Sequence, residues 1–417
     1  MNLLSDTLIG FAMLSLVPLG LWHYHTALVI TIFLLPAYLL RLSLFGLPTN
    51  VFEISVIVVA ILGLCQRAVR HSWLIAAQKM PRSVLIFGLC FLGASIIATI
   101  ISPQTRVSLG ILKSWIFIPL LFSWLIFSAA QNQLIAHRLI RGLVWSGTAT
   151  ALWGLTQIGR DERITSVYDV PNSLALWLAP LLVLALWRSL AAGDHSWATR
   201  LGILTMSVAL LATQSAAALV AVVATLLVGI TAWLPPPRRA KWYLMIFIVL
   251  AAGSLVYSGR LAYLVNPWTS GQANSLSVRQ QLWSVSIELL QHHPLLGIGL
   301  GQFEPAYQQV LHERFQDYAA SLSTGPQPLP EFVVRDPHNW LLSLWLNTGL
   351  LGLFSFIGLH VAIFWRAKWR KPHTQALLLS LLSLLLFGLV DTIFWKNDLA
   401  ALHFVLLALT LADTTAY

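Results

Sequence analysis

Apolar residues in this chain come in long runs separated by short polar breaks. A bilayer hydrocarbon core of roughly 30 Å takes about 20 apolar residues of helix, so such runs predict membrane-crossing helices. Thirteen runs fit, near 4–20, 24–44, 50–66, 82–101, 107–130, 140–158, 171–189, 199–213, 216–234, 241–259, 339–365, 374–394 and 399–413. Pro18 and Pro36 interrupt the first two, so the count is 12–13 and about twelve spans are expected. The stretch 199–234 is too long for one helix, and Thr213-Gln214-Ser215 is the natural turn within it. One long hydrophilic stretch runs from Arg260 to His338. Inside it, Ser277 suits the cap of a helix whose Val278, Leu282, Val285 and Leu289 share a face. That helix is expected to end at His293-Pro294, before the glycine turn Gly297-Ile298-Gly299-Leu300-Gly301. The pattern predicts an all-α polytopic membrane protein in three parts. Residues 1–259 hold the N-terminal transmembrane helices, 260–338 a large loop with an amphipathic helix, and 339–417 the last three spans.

Composition agrees with that class. Of the 417 residues, 58% are hydrophobic and only 10% charged, against about 25% charged in a soluble domain. Soluble enzymes, disordered chains and disulfide scaffolds are excluded, and Cys65 and Cys90 both fall in apolar runs as packing residues. The net charge of +10 is distributed by topology. Five stretches (Arg67 to Arg82, Arg138 to Arg141, Arg188 to Arg200, Arg238 to Lys241, Arg366 to Lys371) hold 15 of the 25 basic residues and one acid, Asp194. With alternating spans these fall on one side, the cytoplasmic one, against anionic headgroups. Membrane lipids rather than nucleic acid are the expected partners of this charge. Thirteen spans put the N-terminus outside and the C-terminus inside; twelve put both in the cytoplasm. The first apolar run lacks a basic n-region and a small-residue cleavage site, so no signal peptide is expected.

The opposite side is acidic, which makes its cations conspicuous. Lys113, Arg160, Arg163, Arg260, Arg279 and Arg335 lie there, with Asp391 and His338. Charge at membrane depth is costly and points to function. Arg is suited to phosphate because its planar fork binds oxyanions bidentately and stays charged. Pairing with nearby acids, Arg163 with Asp169 and Arg335 with Asp336, is the plainer reading of each Arg. In Asp336-Pro337-His338-Asn339, Pro337 suits the first turn of the next helix, so His338 projects at the mouth of the bundle. A neutral imidazole there accepts a proton from an incoming hydroxyl; an interfacial His without chemistry is the alternative. Asp391 either orients that imidazole or pairs with Lys396. Glu288, His292 and His293 have metal-like spacing without a fourth ligand, so no metal site and no cofactor are expected. The glycine series follows no strand and is not a dinucleotide fingerprint.

Several segments together resemble a known family. An Arg-led amphipathic helix precedes Pro-Leu-Leu-Gly-Ile-Gly-Leu-Gly-Gln-Phe at 294–303 and a long loop. His338-Asn339 then opens a span carrying Asn347-Thr348-Gly349-Leu350-Leu351-Gly352. Earlier, Arg163 precedes Tyr168-Asp169-Val170-Pro171-Asn172-Ser173-Leu174-Ala175. This is similar to the O-antigen ligase and polymerase superfamily over roughly 160–366. One departure stands out: where members often carry Ser-Arg-Gly, this chain has Thr213-Gln214-Ser215-Ala216-Ala217. The resemblance implies a GT-C-like membrane glycosyltransferase of the Gram-negative inner membrane with its site facing the periplasm. The implied donor is O-antigen glycan on undecaprenyl diphosphate, and the acceptor is lipid A–core. Transfer is implied to be inverting and metal-independent. Polymerase and protein O-oligosaccharyltransferase are the alternatives within the superfamily, and a lipid-linked glycan transporter is the non-enzyme alternative. On this reading Arg163, Arg260, Arg279 and His338 are catalytic, and Lys113, Asn172, Arg335 and Asn339 bind pyrophosphate or glycan. Asp336 and Asp391 orient the imidazole.

Overall fold

The computed structural model describes residues 16–44, 47–160, 163–233, 275–321, 334–393 and 396–415, with 245 and 247. The helices are α1 Tyr24–Phe33, α2 Val51–Cys65, α3 Arg67–Lys79, α4 Arg82–Ile100, α5 Thr105–Ala129, α6 Gln133–Leu155 and α7 Pro171–Ala191. They continue with α8 Trp197–Ala212, α9 Ala216–Trp233, α10 Ser275–His292, α11 Phe303–Ser321, α12 Trp340–Arg366, α13 Pro372–Phe387 and α14 Asn397–Thr415. A two-stranded antiparallel hairpin, β1 Arg41–Leu44 and β2 Leu47–Asn50, lies between α1 and α2.

The span count departs from the expectation of about twelve. Among the described residues, five helices are long and apolar enough to cross a membrane: α4, α5, α7, α12 and, from Asp398, α14. A sixth arises if α2 and α3, bent by 99° at Gln66, are taken as one. No clear twelve-span GT-C arrangement is formed by these helices. The reasons are local. The run 24–44 becomes a ten-residue helix, a 3₁₀ turn holding Pro36, and a strand. The run 199–234 does break at Thr213-Gln214-Ser215, but its two halves, like α1 and α13, are too short to cross as straight helices. Helix α6 carries Arg138 and Arg141 into its first turns. Most of the runs 241–259 and 4–20 lies outside the described residues. The chain remains a multi-pass membrane protein by its apolar helices.

Helix α7 is the centre of the packing. From Ser173 to Ala185 every side chain is buried, and Pro180 lies inside the helix. Helix α13 runs antiparallel to it: Trp187 donates to Gln375 Oε1 at 3.2 Å, and Ser380 Oγ donates to the Pro180 carbonyl at 2.8 Å. The start of α7 and the end of α13 therefore share one end of the molecule, with Arg188 and His373 at the other. The start of α12 joins the first end, since the Trp340 amide donates to the Gly388 carbonyl at 2.9 Å.

The two glycine motifs meet inside α12. That helix breaks at Gly349 (φ 67°, ψ −176°). At the break the helical bond between Leu346 and Leu350 is exchanged for two bonds to the 294–301 turn. Ile298 N donates to the Leu346 carbonyl at 2.8 Å, and Leu350 N donates to the Leu295 carbonyl at 2.9 Å. Trp345 Nε1 reaches the Pro294 carbonyl at 2.7 Å, and Gly301 N reaches Asn347 Oδ1 at 2.6 Å. Backbone polar groups freed within an apolar span need such partners, because lipid supplies none. Gly297 and Gly349 both have positive φ, and a Cβ on either would run into a carbonyl oxygen of the facing segment.

Helix α10 supports this turn. Its Leu282, Val285 and Leu289 are buried with Phe303, Tyr307, Leu311 and Leu346, and Val278 packs beside them. This is the apolar face expected for the Ser277 helix, which begins at Ser275 and ends at His292.

Candidate functional site

The site starts from the turn before α12. Asn339, not Pro337, sets the start of that helix: its Oδ1 accepts from Leu341 N and Leu342 N at 2.9 and 3.1 Å. Pro337 therefore stays outside the helix, contrary to its expected place in the first turn. Asp336 Oδ1 closes a local turn by accepting from His338 N at 2.8 Å. His338 is held at φ 50°, a left-handed conformation that non-glycine residues adopt rarely and His more readily than most. Such conformations persist where surrounding structure fixes them, and they cluster at functional sites.

The ring lies between two carboxylates. Nδ1 is 3.1 Å from Asp391 Oδ1 and 3.6 Å from Asp336 Oδ1. The His338 side chain is 33% exposed and that of Asp391 10%, so the ring is the member reachable from outside. Among the described residues, Nε2 has no hydrogen-bond partner, and Nδ1 is the nitrogen that meets Asp391. Thr392 fixes both acids, donating its hydroxyl to Asp336 and its amide to Asp391 Oδ1.

Helix α10 clamps this arrangement. Arg279 Nε donates to the Val390 carbonyl at 2.6 Å, and Trp283 Nε1 donates to the Pro337 carbonyl at 3.0 Å. Four residues apart, they share a helix face. One binds the turn before Asp391 and the other the turn before His338. The bond at Nε fixes the plane of the guanidinium, whose charge acts on the ring.

Electrostatics follow from this geometry. Burial pushes the His338 pKa down, but the Asp336 charge and the Asp391 hydrogen bond and charge outweigh it. Arg279 opposes them, and the net result is a rise from 6.5 to about 9. Burial pushes Asp391 up, yet the His338 bond and charge, the Thr392 amide and Arg279 hold it below the usual carboxylate range. The neutral imidazole expected from the sequence does not fit this environment: at neutral pH His338 is an imidazolium.

A second group of polar contacts lies at the same end of α7. Arg163 Nε donates to the Thr213 carbonyl at 2.8 Å and its Nη2 to Asn172 Oδ1 at 3.2 Å. The guanidinium thus lies against the 213–217 segment. Next to Asn172, Ser173 accepts from Lys396, and Tyr168 donates its hydroxyl to Asp398 Oδ2 at 2.6 Å. The segment from Val390 to Asp398 therefore touches the His338 group at its start and the α7 group at its end. Asp391 pairs with His338, and Lys396 turns to Ser173 instead.

The remaining expectations sort differently. Lys113 pairs with the buried Glu53 at 2.8 Å and donates to the Pro48 carbonyl at 2.7 Å, so it neutralises a carboxylate on α2. Arg335 is exposed, and Asp336 faces His338 and Thr392 instead of pairing with it. Asn339 spends its oxygen on the cap and its Nδ2 on the Leu389 carbonyl at 2.9 Å. Glu288, part of the metal-like spacing, pairs with Arg314. Arg260 lies outside the described residues. Thr392 and Trp283 went unnoticed in the sequence. Trp283 alone had a signal, its spacing of one helical turn from Arg279.

The stretch from α8 to the middle of α12 contains Arg279, Asp336, His338 and both glycine motifs. Residues 201–357 match a family model described as O-antigen ligase. An O-antigen ligase domain is present in this chain. A search of curated proteins finds no match. The O-antigen ligase domain includes the α10 clamp and the docked glycine turn, while Arg163, Asn172 and Asp391 come from flanking segments. Its presence supports a ligase- or polymerase-type role in this superfamily, acting on lipid-linked glycan.

Proposed function

We propose that this protein transfers O-antigen glycan from undecaprenyl diphosphate to lipid A–core, with inversion, on the periplasmic face of the inner membrane. The observation that carries the reading is the juxtaposition of Arg279 and an imidazolium at His338 beside two fixed carboxylates. An acceptor hydroxyl oxygen attacks the anomeric carbon of the first sugar. The bond from that carbon to the diphosphate oxygen breaks, and its electron pair leaves with undecaprenyl diphosphate.

Magnitudes decide the role of His338. General base catalysis contributes roughly 10²–10⁴ in rate. A pKa of about 9 leaves about 1% of the ring neutral at pH 7, which cancels about 10² of that gain. A preorganised donor aimed at developing charge is worth about 10²–10³ and needs the charged ring. The second role is therefore the better fit: His338 Nε2 and Arg279 stabilise the leaving diphosphate, supplying charge that a divalent ion supplies in other sugar-transfer enzymes. The acceptor proton passes to Asp336 and from there to water. Arg163, fixed by Thr213 and Asn172, takes the place of the Arg that related sequences carry in the 213–217 segment and holds the donor.

Purified full-length protein, given lipid-linked glycan and lipid A–core without nucleotide, tests the reading. Glycan on the core supports it. A lengthened donor favours a polymerase, and neither product favours transport. Arg279→Lys keeps the charge but loses the fork and the Nε bond to Val390. A fall in transfer of about 10²-fold is expected, with the melting temperature changed little. Undiminished transfer removes Arg279 from diphosphate recognition.

A further inference from the structure

At the end of the molecule opposite His338, two clefts adjoin. One, of about 500 Å³, is lined by His137, Arg138, Arg141, Arg188, Asp194 and His195. The other, of about 390 Å³, runs between α1 and α6 and is lined by Val29, Ile30, Phe33, Gly142 and Trp145. Arg138 and Arg141 line both. The first is polar and cationic: three guanidinium groups face one carboxylate. Arg188 is a built element, with only 4% of its side chain exposed and Nη2 2.9 Å from Asp194 Oδ2. That pairing neutralises the one acid in the lining, so the charge of Arg138 and Arg141, both exposed, is uncompensated within the cleft. The second cleft is apolar along the face that α1 turns to α6.

A free anion has no use for the apolar cleft, and an uncharged chain has none for the cationic one. The shared arginines join them into a single amphiphilic surface. We propose that this end of the protein binds one anionic phospholipid, its phosphate on Arg138 and Arg141 and an acyl chain along Val29, Phe33 and Trp145. The site is distinct from the His338 group and does not depend on the transfer reaction. Gly142 lets α1 pack closely on α6 at the base of this cleft, since a Cβ there would sit 3.2 Å from Val29 Cγ1. Asp194 and Arg188 form the rear wall, and Asp194 is held below the usual carboxylate range: burial pushes it up, but the Arg188 bond and charge and the Ser196 contacts prevail.

Delipidated full-length protein in detergent, titrated with phosphatidylglycerol, phosphatidylcholine or inorganic phosphate and read by native mass spectrometry, tests this. Each basic residue near an anionic headgroup gives roughly fivefold in preference, so phosphatidylglycerol should bind at least about tenfold tighter than phosphatidylcholine. Inorganic phosphate at millimolar concentration should not displace it. The double variant Arg138→Gln, Arg141→Gln alters two exposed side chains and should erase the preference with an unchanged melting temperature. Equal binding of the two lipids, displacement by phosphate alone, or a preference that survives the double substitution would each overturn the proposal. Arg188→Gln is a poorer probe, because it strands the Asp194 charge.

Discussion

Replacing His338 by Asn should lower transfer by about 10²–10³-fold while the protein still folds. Asn is the apt substitution because position 338 has φ 50°, which Asn tolerates better than almost any other non-glycine residue. The Asp336 turn and the Trp283 bond to Pro337 both use backbone atoms and survive the change. What is lost is the cation between Asp336 and Asp391. Those carboxylates then face the diphosphate without the imidazolium that offsets them, so donor binding should weaken along with turnover. His338→Gln keeps a polar side chain but no charge and should be no better. Transfer assays at saturating donor, with a thermal melt of each variant, check this. Wild-type turnover in His338→Asn would remove the ring from the mechanism.

The second large effect concerns the fold rather than the chemistry. Gly349→Val should abolish stable, monodisperse protein, or lower its melting temperature by well over 10 °C. A β-branched residue at φ 67° is a strained outlier. Its Cβ also meets the Leu295 carbonyl, which is backbone and cannot swing aside. Relieving that contact breaks the Leu350 bond to Leu295 and the Ile298 bond to Leu346, leaving polar backbone groups unsatisfied inside a span. Gly110→Val is the control, because a Cβ at Gly110 meets nothing within 4 Å. Thermal unfolding in detergent distinguishes the two. Equal stability would show that the glycine turn is not held by the break in α12.

These two positions also show what the sequence carries. Asp336-Pro337-His338-Asn339 and the two glycine segments stood out as motifs, yet their contact could not be read, because bonds such as Ile298 to Leu346 join distant residues. The apolar face of the Ser277 helix was legible through its helical spacing, and the same helix places Arg279 and Trp283 on one side. Thr392 carried no signal of its own. It matters because it bonds an acid 56 residues away as well as its own neighbour. The span count failed for a different reason. Hydropathy records how apolar a run is, not where the helix stops. The 3₁₀ turn at Pro36 cuts the run 24–44 short, and at the 99° bend at Gln66 the apolar α2 stops after 15 residues and gives way to the basic α3. The charge state of His338 was hidden as well, since it depends on two carboxylates that only the fold brings to one ring.

The pH dependence of transfer by the reconstituted protein, between pH 6 and 10, tests the central claim most directly. His338 has its pKa raised to about 9, so the charged ring is present through neutral pH and lost as pH rises through that value. Turnover should therefore be level from pH 6.5 to 8 and fall tenfold per unit above about 9, with the fall absent from the residual activity of His338→Asn. Turnover that instead climbs tenfold per unit up to pH 9 would show that the neutral ring is the working form, and would contradict an imidazolium acting on the leaving diphosphate.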